Sequence, residues 1–340
     1  MLKKLLIITI TAQLLSTYSS KAMVKGKSYS IILPGLGETP GRGGFAFENY
    51  HIVNTSKDAT VRFTTLASPW YKIDLGQDNC IQDFEKQLHE PPYKNNKHYF
   101  YGISQGTATL FNWLGKMSHE EQEKNAHCLV LESVLGSGDS AILHTIESAA
   151  SLKNEQMPYT VRFILSLATS TTYFPFARAW LPLAAKIAFP TYNPFGKQAV
   201  TSAKKISPNI PVIIMHNHAD PQLSINDARE VYCSLRENGH KGAYLFEIEC
   251  TEPAHVSILH YDKNIEKSIL SLQAIYRKHK LPYREIEGID KIELEGFKPS
   301  AQEVRKKIYD STWKKRWIRN TIDITATGML VGYLAYRYKN

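Results

Sequence analysis

Six short segments of this chain are apolar on both faces or nearly so: 29–33 (YSIIL), 61–66 (VRFTTL), 98–102 (HYFYG), 127–133 (HCLVLES), 211–216 (PVIIMH) and 243–249 (AYLFEIE). A strand with one wet face alternates apolar and polar residues, whereas a strand covered on both faces has no need to. Helix-like segments run between them, at 79–89, 105–117 and 224–238, with a long one over 256–279. Parallel neighbours cannot be joined by a tight hairpin, so a helix must carry the chain back across the sheet each time. The expected fold class is therefore α/β, a mostly parallel sheet with helices on both faces.

The rhythm breaks between 139 and 205, a stretch without a clear strand but rich in Ala, Leu, Phe and Tyr and punctuated by Pro175, Pro182, Pro190 and Pro194. It reads as a helical lid inserted into a core made of 23–138 and 206–280. A charged extension, 281–340, follows. Residues 304–319 hold seven Lys/Arg against one Asp, which is six of the chain's nine excess positive charges. No helix-turn-helix, zinc-finger or RNA-binding signature accompanies them, so no nucleic-acid partner is expected. The readings left open are a solvated helix face and contact with a membrane surface. The segment 321–336 is mostly apolar but holds Asp323 and is short for a full span; it reads as a docked helix or a membrane-associated tail.

At the other end, Lys3 and Lys4 precede an apolar run over 5–15, and Ser20 and Ala22 flank a cleavage point after residue 22. Residues 1–22 read as an export signal, with an uncleaved anchor as the alternative. The expected location is the periplasm, the medium or the envelope. The cysteines are Cys80, Cys128, Cys233 and Cys250. An even number in an exported chain permits disulfides, while the absence of any C-x-x-C argues against a zinc or redox site. Cys128 sits in a buried-strand pattern and reads as an inert core thiol.

The sharpest local pattern is YFYGISQGTATLF, 99–111, which places Gly102-Ile103-Ser104-Gln105-Gly106 between a strand and a helix. G-x-S-x-G in that context holds a serine on a tight turn with Oγ facing out of the sheet edge; the bland alternative is a helix-capping serine. A hydroxyl becomes a nucleophile only when a base takes its proton, and the base needs an orienting acid. Asp220 follows the fifth strand segment and His255 the sixth, so both emerge at the carboxyl edge where Ser104 emerges. Glu132 is the alternative acid and His260 the alternative base. His216-x-His218-x-Asp220 resembles a metal motif, but Pro221 stands where its last histidine would be, and no metal is expected. The loop ILPGLGETPGRGG, 32–44, fits no phosphate motif: the third glycine of G-x-G-x-x-G falls on Pro40, and no Lys-Ser or Lys-Thr follows.

Taken together, these residues resemble the α/β-hydrolase superfamily over about 29–279. The resemblance implies Ser104 as nucleophile, His255 as base and then acid, and Asp220 as its orienter. It also implies an oxyanion hole from Gln105 with Leu36 or Gly37, which answers what the glycine loop is for. A lipid or small acyl ester is the substrate class implied, with no cofactor. The runner-up is a peptidase of the prolyl-aminopeptidase-like branch; a catalytically silent binding protein at the envelope is the reading from another class.

Overall fold

The structure is a computed structural model, and it describes residues 29–36, 60–63, 72, 74–90, 93–94, 96–151, 186, 189–281 and 292–313. The expected export signal, Gly37, most of the expected lid and the apolar stretch at 321–336 lie outside the described residues.

Among the described residues six strands form one sheet: β1 Tyr29–Leu33, β2 Thr60–Phe63, β3 His98–Ile103, β4 Ala126–Glu132, β5 Val212–Asn217 and β6 Ala243–Ile248. Their order is β2-β1-β3-β4-β5-β6, and every neighbouring pair is parallel. Each of the six falls on one of the apolar segments, shifted by no more than a few residues. Successive side chains leave a strand on opposite faces. Accordingly Ile31 and Leu33 join one buried cluster, with Phe100, Leu129 and Ile214, while Ile32 joins the other, with Tyr101, Val130 and Met215.

The helices are α1 Asp78–Leu88, α2 Gln105–Leu114, α3 His119–Asn125, α4 Gly138–Ser151, α5 Ala199–Ala203, α6 Ile225–Glu237, α7 Ile258–Tyr261 and α8 Ile265–Lys278, then α9 over 301–313. The first cluster takes in α1, α2 and α6, and the second α7 and α8. Two differences from the sequence reading have visible causes. The single helix expected over 256–279 is two, because Ser257 sits in the left-handed region at φ +59° and Asp262 is extended. There the chain turns outward to pair with the end of β6: Thr251 N–H donates to the Tyr261 carbonyl at 2.8 Å and Lys263 N–H to that of Glu249 at 3.0 Å. The second is α3, unforeseen although its start carries a capping box in which Ser118 and Glu121 each bond the other's backbone N–H.

Part of the basic extension belongs to the core. Val304 and Ile308 of α9 are buried in the first cluster, and Phe297 stacks on Phe246 with centroids 4.2 Å apart. Arg305 makes a bidentate pair with Glu237 at 2.9 and 3.0 Å, and Lys307 meets Glu247 at 2.6 Å. No helix among the described residues is long and apolar enough to cross a membrane. Cys80, Cys128, Cys233 and Cys250 are free thiols. Cys128 is the core thiol expected, with burial pushing its pKa up to about 12.

Candidate active site

Ser104 lies between the last residue of β3 and the first of α2, with φ +49° and ψ −114°. A side chain pays a penalty there, and the surroundings over-determine the turn. Ser104 N–H donates to the Glu132 carbonyl at 3.0 Å, continuing the sheet one residue past β3. Its own carbonyl accepts from the N–H and Oγ1 of Thr107, at 3.0 and 2.6 Å. The flanking glycines are steric necessities. A Cβ on Gly106 would stand 2.3 Å from the Leu33 carbonyl oxygen, and one on Gly102 3.1 Å from the backbone of Gly106. Helix α2 can leave the sheet this close to β1 only if Gly106 is bare, while a Cβ on Gly102 would have to displace the start of α2 by a few tenths of an ångström.

The structure brings Ser104, Asp220 and His255 together. His255 Nε2 is 2.9 Å from Ser104 Oγ, and His255 Nδ1 is 2.9 and 3.0 Å from the two carboxylate oxygens of Asp220. Asp220 Oδ1 also accepts the N–H groups of Gln222 and Leu223, at 2.8 and 2.9 Å. Burial by itself would raise the Asp220 carboxyl, but the hydrogen bond and charge of His255, with the Leu223 N–H, outweigh it and hold the group below its ordinary range. The carboxylate thus stays ionised, and the proton between it and the ring sits on Nδ1. Nε2 faces the serine hydroxyl.

Neither alternative takes part in this relay. Glu132 is fully buried, and its oxygens accept the Ile258 N–H at 2.9 Å and the Tyr101 hydroxyl. It braces the segment just after His255. His260 is exposed on α7, with its ring edge-on to Tyr261. The metal-like string is also dispersed. His216 Nδ1 accepts the Val134 N–H at 3.0 Å, so its Nε2 carries the proton toward the Leu223 carbonyl at 3.2 Å. Both ring nitrogens are spent on backbone, and burial lowers the pKa to about 4, which keeps the ring neutral. His218 lies beside Glu247.

Several positioning groups escaped the sequence reading. Ser133 Oγ donates to the His255 carbonyl, and Asn217 Nδ2 to the Ala254 carbonyl at 2.8 Å. His144, on α4, meets the Asp220 carbonyl at 2.9 Å. These are contacts between segments far apart in the chain, so no local pattern announces them.

Gln105 opens α2, where the helix supplies no carbonyl for its N–H, and the first turn holds no acidic residue. Its side chain turns away, donating to Cys80 Sγ at 2.7 Å. Leu36, 44% exposed, stands just past β1. Gly35 and Leu36 form one wall of a cleft of about 380 Å³ whose other wall includes His255.

A six-stranded parallel sheet with a serine turn after β3, an acid after β5 and a histidine after β6 is the arrangement that the sequence pattern led us to expect. No protein-family profile and no curated protein matches the sequence. Among solved structures, an α/β-hydrolase enzyme from a Medee basin deep-sea metagenome library overlays with a TM-score of 0.46 at 12% identity, over 79% of this chain and 94% of its own. An esterase of Pyrococcus furiosus gives 0.48 at 12%, over 75% and 84%. An acylaminoacyl peptidase of Pyrococcus horikoshii gives 0.46 at 12%, over 80% of this chain but 40% of the peptidase. Overlays this loose carry no activity across to this chain.

Proposed function

We propose that this chain is a serine hydrolase that cleaves carboxylic esters through an acyl-serine intermediate. The observation that supports this most is the unbroken relay from Ser104 Oγ through His255 to an ionised Asp220. A structural serine would need neither partner.

In this reading His255 Nε2 takes the Ser104 proton as Oγ attacks the ester carbonyl. Asp220 stabilises the imidazolium that forms and holds the ring in the required tautomer. The negative charge on the former carbonyl oxygen falls to the N–H of Gln105 and an N–H of the loop at Leu36; a donor of this kind typically contributes about 3 kcal/mol. Collapse breaks the bond to the leaving alkoxide, which departs with the proton from His255. Water, deprotonated by the same nitrogen, then releases the acid and restores Ser104. Esters are favoured because the cleft beside His255 is partly apolar, with Leu36, Pro253, Ala254 and Val256 on its walls.

Fluorophosphonate labelling of the purified protein tests the reading, followed by hydrolysis of p-nitrophenyl esters of increasing chain length. Labelling lost in Ser104→Ala and slowed in His255→Ala is the expected result. A wild type that folds, by circular dichroism, yet takes no label would overturn it.

A further inference from the structure

The cleft beside His255 contains one charge that nothing in the relay uses. Glu252 lines it together with Gln222, Tyr261 and the apolar groups already named, and among the described residues no lysine or arginine does. Glu252 is exposed and makes no hydrogen bond or ion pair among the described residues. The basic residue nearest on this loop, Lys263, is taken by Glu249 at 3.1 Å. When His255 becomes an imidazolium, Asp220 at 2.9 Å balances it, so among the described residues the carboxylate of Glu252 stays uncompensated through the reaction. An anionic group is unexpected in a chain of net charge +9, and it lines the same cleft as His255, the group that would hand its proton to the departing alcohol.

We propose that Glu252 makes this cleft a leaving-group subsite for a cation, and that the favoured esters carry an ammonium or quaternary ammonium group on the alcohol. The inference rests on the serine-hydrolase reading above. The apolar groups would cover the carbon substituents of such a cation, while the carboxylate supplies the counter-charge. An anionic leaving group would be disfavoured by the same charge.

A pair of isosteric phosphorothiolates tests this, one releasing 2-(trimethylammonio)ethanethiol and the other 3,3-dimethylbutanethiol. Each phosphorylates Ser104 Oγ as the P–S bond breaks and the thiol leaves, and mass spectrometry reads the rate. The cationic reagent is expected to react about fivefold faster in the wild type. In Glu252→Gln the preference should vanish, as it should in the wild type at high salt, with fluorophosphonate labelling unchanged. Equal rates in the wild type, a preference untouched by Glu252→Gln, or failure of both reagents while the fluorophosphonate still labels would each overturn the subsite. Loss of fluorophosphonate labelling as well would mark failure of the nucleophile itself, and the subsite would fall with it.

Discussion

Two buried carboxylates stand at the carboxyl ends of adjacent strands, Glu132 closing β4 and Asp220 three residues beyond β5, and they do different work. Glu132 points across the sheet edge to the Ile258 N–H and the Tyr101 hydroxyl, so its charge is consumed by the scaffold. Asp220, carried past its strand by a turn that its own Oδ1 ties down, keeps both oxygens within reach of His255. Being acidic and at the right edge of the sheet is not enough. The donors that reach each carboxylate first decide whether it is a strut or part of a relay.

The most severe way to break the comparison is Asp220→Asn. Holding the imidazole in the wrong tautomer should lower kcat about 10⁴-fold with little change in the thermal unfolding midpoint. Glu132→Gln should reverse the balance. It leaves one neutral amide where two donors expect a carboxylate, costing about 2 kcal/mol in denaturant unfolding, while kcat falls by roughly tenfold through displacement of His255. If instead Glu132→Gln abolished activity at unchanged stability, the roles assigned here would be exchanged.

Asp227 sharpens the contrast as a carboxyl for which burial wins. It accepts a hydrogen bond from Ser140 at 2.6 Å, yet its other oxygen has no partner among the described residues, and burial raises its pKa to about 7. The folded protein therefore binds more protons than the unfolded chain between about pH 4 and 7, and stability falls as pH rises through that window. Asp227→Asn should flatten this slope and stabilise the protein above pH 7 by on the order of 1–3 kcal/mol, read from urea melts at pH 5 and pH 8. The smallest effect belongs to the surface. Arg305→Ala, which removes a half-exposed pair with Glu237, should cost no more than about 1 kcal/mol, and less as salt is added.

The strands were readable because burial on both faces leaves an unbroken apolar signature, and the elbow because Gly102, Ser104 and Gly106 must stand at fixed offsets. The break between α7 and α8 was not, since Ser257 and Asp262 are compatible with a helix until the end of β6 competes for their backbone. The start of α9 was readable but unread: Ser300 and Glu303 form a second capping box. Whether α9 would be a free basic arm or a docked one depended on Val304 and Ile308 finding the apolar face beside α6, a pairing between residues 60 or more positions apart.

Local pattern, then, settled the α/β class, the parallel sheet and the candidate nucleophile, because periodicity and glycine spacing are properties of short segments. The choice of Asp220 over Glu132 to face His255 and the neutral state of His216 came from the fold. Each depends on which donors and charges the packed chain delivers within about 3–4 Å, and sequence separation says nothing about that distance.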